Sequence, residues 1–176
     1  MTFEEFEQLP ESEFRQELRH GELFELPPPR PKHYDIQLRL RDFIFAVAGP
    51  AAIVGTEFGF KPREQFEFWI ADVAYTTRER WKNCLATAGF FGAPELVIEV
   101  LSPSNSVREM RERRTICLEN GSQEFWVVDE ESRSVEVFYR DRKPVEYKSG
   151  EHIPLFFAPA STLAVDQIFE EPKESA

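Results

Sequence analysis

Apolar and polar positions change period several times along the chain. The opening MTFEEFEQLP places Glu5 three residues after Thr2, the spacing of a capping box, and Phe3, Phe6 and Leu9 share one face. That predicts a short helix, and residues 1–20 read as an N-terminal helical segment. In GELFELPPP, Leu23, Phe24 and Leu26 interleave with Glu22 and Glu25 between Gly21 and a proline run, which predicts a short strand. PPPRPKH is expected as an extended loop. Residues 34–48 then carry Ile36, Leu40, Phe43, Ile44 and Val47 at helical spacing, and Gly49-Pro50 stops them.

The second half is dominated by strands. Residues 51–60 and 65–75 read as two of them; the alternation of the second gives way to a buried run around Asp72. Residues 76–94 form a long connection, partly helical. ELVIEVL is a strand, Ser104 or Asn105 is suited to cap the helix after it, and Asn120-Gly121 ends that helix. EFWVVD is the next buried strand. SVEVFY, following DEESR, completes a hairpin with it. VEYKSGEHI and STLAVDQIF add short elements, and residues 171–176 read as a frayed tail. Strand, helix and strand from ELVIEVL to EFWVVD make a βαβ crossover with parallel strands, whereas the hairpins are antiparallel. The fold class is therefore α+β (mixed α/β), a mixed sheet flanked by helices in a single domain over residues 1–170.

Composition agrees with a globular core: 41% of the 176 residues are hydrophobic and 17 are Phe. No run of about 18 apolar residues marks a membrane span, and the acidic N-terminus lacks the pattern of a signal peptide. Two cysteines, Cys84 and Cys117, make no disulfide framework or metal-ligand spacing. Together these features point to a cytoplasmic protein with no membrane partner. The net charge of −11 counts against a broad nucleic-acid-binding face. It is unevenly spread, with eight Glu and two Arg in residues 1–26 and a concentration of arginines in residues 102–143.

Two acids stand where apolar residues are expected, Asp72 in WIADVAY and Glu99 in LVIEVLS. A buried unpaired carboxylate is costly. Two on neighbouring strands ask for a shared cation, and Mg²⁺ or Mn²⁺, which take oxygen ligands, satisfy that demand. Glu22 is a third candidate acid. The competing reading is a structural ion pair with one of the arginines in which the chain is rich. On a helical wheel Val107, Met110, Cys117 and Leu118 share a face, and Arg113 and Arg114 project near it, Arg113 toward the sheet. Arg108 and Arg111 read as solvated and Cys117 as packing. His33, close after Glu22, is an accessory candidate. Ser102 lacks a nucleophile elbow, and phosphate-loop and dinucleotide glycine patterns are absent.

GELFELPPPRPKH, IADVAY, PELVIEVLSPSNSVREMRERR and NGSQEFWVVDEESRSVEVF together resemble the Uma-type putative restriction endonuclease family, over roughly residues 21–169. The resemblance implies the PD-(D/E)xK nuclease-like fold, with a divalent metal site at the centre of the sheet. It carries the family's three acids to Glu22, Asp72 and Glu99. It sets the family's D-x-x-x-K-x-x-x-Y helix pattern on Glu109, Arg113 and Cys117, so all three helix positions differ. Ala71 also replaces a proline before Asp72. A lysine at position 113 could help deprotonate water, whereas arginine stays protonated but can stabilise phosphate charge.

The leading expectation is a metal-dependent endonuclease cleaving DNA phosphodiesters. Asp72 and Glu99 would bind Mg²⁺ or Mn²⁺, with Glu22, Arg113 and the accessory His33 around them. The alternative is a non-catalytic nuclease-fold module that binds nucleic acid or a protein partner, since Arg113 replaces the lysine. A third expectation is a homo-oligomer formed through Phe-rich elements.

Overall fold

The structure, a computed structural model, describes residues 1–87, 89–103 and 105–170. Helix α1 (Phe3–Glu7) starts at the expected capping box between Thr2 and Glu5. It is the whole of the N-terminal helix, because Arg15–Arg19 is a strand, β1, paired antiparallel with β2 (Glu22–Leu26). Between them His20 (φ 51) and Gly21 (φ 77) form a two-residue turn with both φ positive, the geometry of a tight hairpin.

Helix α2 (Pro31–Ala48) begins three residues before its apolar pattern, because Pro31 at its first turn is pre-set for helix and gives up no bonded N–H. Strands β3 (Ala52–Phe60) and β4 (Trp69–Thr77) follow, then the short helix α3 (Arg78–Cys84) within the long connection. Next come β5 (Leu96–Val100), α4 (Val107–Glu119), β6 (Glu124–Asp129), β7 (Ser134–Tyr139) and β8 (Val145–Tyr147). The chain closes with a small two-stranded sheet of β9 (His152–Pro154) and β10 (Thr162–Ala164), then helix α5 (Val165–Phe169).

The main sheet runs β3-β4-β5-β6-β7-β8. Only β5 and β6 pair in parallel, joined by α4 as the crossover predicts, and the other pairs are antiparallel. The expected mixed sheet flanked by helices is therefore what the chain forms. Ser106, not Asn105, caps α4 by accepting from the Glu109 N–H. Asn105 instead accepts from the Ser102 backbone N–H at 2.8 Å and holds the turn after β5. Ser104, the other expected cap, and the tail from residue 171 lie outside the described residues.

Helices cover both faces of the sheet. On one, Ile36, Leu40 and Ile44 of α2 pack with Ile168 of α5 over Val73, Ile98, Val100 and Trp126. On the other, Ile116 and Cys117 of α4 pack over Ala71, Val97 and Phe125. Side chains two apart on a strand normally share a face. Here Ala71 joins the α4 side while Val73 joins the α2 side. On the neighbouring strand Val54 packs on the α2 side and Phe58 on the α4 side. Both strands switch faces where Glu57, in the left-handed region at φ 52, interrupts the ladder opposite Asp72. Among the described residues no helix is long and apolar enough to cross a membrane.

Candidate active site

Two carboxylates and a guanidinium meet between the α4 face of the sheet and the N-terminal hairpin. Arg113 leaves α4 toward the sheet and is 5% exposed. Its Nη1 donates to both oxygens of Glu17 at 3.0 Å. Its Nη2 donates to Glu99 Oε1 at 2.9 Å and to the Ile70 carbonyl at 3.0 Å. The guanidinium also lies over the Trp69 ring, 5.0 Å from its centroid. Glu17, from β1, is buried and fully engaged. Besides Arg113 it accepts from the Ile70 N–H at 2.7 Å and from Arg19 Nε at 2.6 Å, and Arg19 reaches on to Glu109 at 2.6 Å.

Asp72 is held from the α2 side. Val73 pairs with Ile98 in the β4–β5 ladder, so Asp72 and Glu99 are next to each other at its end. Asp72 Oδ2 accepts from the Val100 N–H at 2.7 Å. Its Oδ1 meets two side chains of α2, Gln37 Nε2 at 2.7 Å and His33 Nε2 at 3.2 Å. Gln37 Nε2 also donates to Glu57 Oε1 at 2.8 Å, and Glu57 pairs with Arg15 of β1.

The charges are uneven. Burial pushes the Glu99 carboxyl up to about 8, and Asp72 and Glu17 push the same way while Arg113 pulls it back. Burial works against the Arg113 charge, but Glu17 and Glu99 more than offset it and hold the guanidinium protonated. The Cys117 thiol is pushed well up by burial, so it stays neutral packing on α4. Among the described residues no three His, Cys, Asp or Glu side chains form a ready-made metal cage. The donor chemistry of the Asp72–Glu99 pair still fits a hard cation, since Mg²⁺ is commonly held by one or two carboxylates, water and substrate phosphate.

A family model described as "Putative restriction endonuclease", Uma2, matches residues 3–166. The chain belongs to the Uma2 family. The crystal structure of a putative nuclease belonging to DUF820 from Anabaena variabilis is similar at a TM-score of 0.81 and 25% identity, covering 96% of this chain and 97% of that one. A comparison with curated proteins finds no match.

Of the residues expected at the site of this Uma2 protein, Asp72, Glu99, Arg113 and His33 lie at one end of the sheet. Glu22 does not join them: it is exposed on β2, opposite Arg19 across the hairpin. Strand β1, not β2, turns its side chains toward α4, so Glu17 is the acid that meets Arg113. Arg113 points at the sheet as expected, but its Nη hydrogens are committed to two acids and a carbonyl. Arg108 and Arg111 are exposed. Glu17, Gln37 and Glu57 were not legible as site residues. The H-G turn between two short segments is the signal that reveals β1, and a glutamine inside the apolar stripe of α2 is the signal for Gln37.

Proposed function

We propose that the protein hydrolyses DNA phosphodiester bonds with a divalent cation, Mg²⁺ or Mn²⁺, held by Asp72 and Glu99. The supporting observation is the excess of acid at the end of the sheet. Glu17 and Glu99 share one buried arginine, Asp72 adds a third acid beside Glu99 with no arginine partner of its own among the described residues, and the Glu99 carboxyl is raised to about 8. A hard dication with oxygen ligands relieves that excess. When bound, such an ion supplies Lewis-acid charge to a phosphoryl group and makes a bound water more acidic. The chain's own groups do the rest. Arg113 holds Glu99 and Glu17 from beneath, and the Val100 N–H fixes one oxygen of Asp72. His33 is the titratable nitrogen beside that carboxylate. Arg113 stays protonated and does not serve as the base. The free cysteines Cys84 and Cys117 suit a reducing compartment, which supports a cytoplasmic setting.

The test is incubation of purified protein with plasmid DNA and Mg²⁺ or Mn²⁺. Nicking that an Asp72→Ala variant lacks is the expected result; cleavage no greater than that control overturns the proposal.

A second reading is favoured by Arg113 itself. Its guanidinium already takes one oxygen of Glu99 and both of Glu17. A site neutralised this way by its own cation suits a non-catalytic module that binds nucleic acid or a protein partner. Arg113→Lys separates the two readings, because activity that appears only in that variant makes the natural chain a binding module.

A further inference from the structure

Gln37 is wholly buried, yet it is polar and sits on the face of α2 that packs against the sheet. Its amide nitrogen is 2.7 Å from Asp72 Oδ1 and 2.8 Å from Glu57 Oε1. Carboxylate oxygens only accept, so the nitrogen, and not the carbonyl, must face them, and each of its two hydrogens serves one acid. The carbonyl Oε1 is left buried with no hydrogen-bond partner among the described residues. An orphaned buried acceptor is unfavourable. The fold tolerates it in the one arrangement that keeps an N–H on each acid.

Three further features converge on the same carboxylate. His33 lies one helical turn before Gln37, so both project from one face of α2 onto Asp72. Glu57 holds a left-handed backbone at φ 52, which a side-chain-bearing residue rarely adopts. That kink sits where β3 changes face, and it brings the Glu57 carboxylate to the Gln37 amide. Arg15 of β1 then pairs with Glu57 from the far side.

We infer that Gln37 is a positioning residue: by sharing its amide between Glu57 and Asp72, it fixes the carboxylate of Asp72 at the end of the sheet. The functional part of this inference rests on the reading of Asp72 as a cation ligand. The positioning itself rests on the contacts.

The experiment is heteronuclear NMR on the full chain with a parallel Mn²⁺ titration by calorimetry. The Val100 amide reports on Asp72, to which it donates. In Gln37→Leu the Val100 amide proton should move toward its position in Asp72→Ala, and Mn²⁺ should bind about 10–100-fold more weakly than to the wild type, as when a metal ligand loses its outer support. An unmoved Val100 resonance overturns the inference, and so does wild-type Mn²⁺ affinity in the variant. If Gln37→Leu does not fold, the wild-type chain decides. Both side-chain amide protons of Gln37 should exchange slowly with solvent, and fast exchange of both overturns the shared amide. Wild-type protein that takes up no Mn²⁺ would sink the cation reading alone, because the Val100 and Gln37 signals still decide the positioning.

Discussion

Arg113 donates through Nη1 to both carboxylate oxygens of Glu17, a residue 96 positions earlier in the chain. The pair joins α4 to β1, and both partners are buried. Removing Glu17 strips the buried guanidinium of its bidentate partner and leaves it Glu99 alone. Glu17→Ala should therefore lower stability by about 3–5 kcal/mol. Glu22→Ala, five residues on but exposed, should stay within about 0.5 kcal/mol of wild type. Urea unfolding of the two variants checks this, and equal losses would remove the distinction drawn between the two acids.

Arginine and lysine are not equivalent at position 113. The guanidinium spans Glu17, Glu99 and the Ile70 carbonyl at once. A lysine is a point charge with three donors and cannot reproduce that fork. Arg113→Lys should cost about 1–3 kcal/mol, the loss expected when buried partners go unsatisfied. Thermal unfolding measures it, and an unchanged midpoint would show that the fork carries no stability.

Glu99 sets a pH dependence. Its carboxyl is raised in the folded protein from 4.5 to about 8, chiefly by burial, so the folded state holds its proton more tightly than the unfolded chain. Stability from this group is therefore fully present below pH 4.5 and is lost as pH rises toward 8. Glu99→Gln removes the titration. Its melting temperature should fall less than that of wild type across that window, and the variant should gain on wild type as the pH rises. Parallel melting curves at intervals of pH test the point; curves that keep a constant separation would contradict it.

On the proposed reading, divalent binding depends on Asp72. Calorimetry with Mn²⁺ should show heat of binding to the wild type and none to Asp72→Ala, and a chelator should abolish any nicking of DNA. Equal binding by the two proteins would move the cation elsewhere. No binding by either would leave the carboxylates as a structural network around Arg113.

The strands that carry Asp72 and Glu99 could be read from the sequence because apolar runs specify them, and α4 because Val107, Met110, Cys117 and Leu118 recur on one helical face. In the β5–α4–β6 crossover the strand pairing and the helix are those expected. Strand β1 was hidden because RQELR holds one apolar residue, Leu18. Its burial comes from ion pairs to distant elements, which no local period reports. The same cause separates the two acids of the hairpin. Glu22 sits in a recognisable motif, whereas Glu17 owes its place to a hairpin turn and to Arg113. Gln37 stands out only as a polar residue inside the apolar stripe of α2, and its role becomes legible once the carboxylates facing it are placed.

The span between Glu17 and Arg113 also bears on how the protein is made. At roughly 5–20 residues per second, the ribosome needs on the order of 5–20 s after Glu17 to add Arg113. Throughout that interval β1 has been made while α4, the helix it docks on, is still incomplete. A stalled or truncated chain that ends before α4 has neither the guanidinium nor the surface that orders Glu17. The cluster is thus assembled only after α4 has been made, and nascent fragments that end before it are built without it.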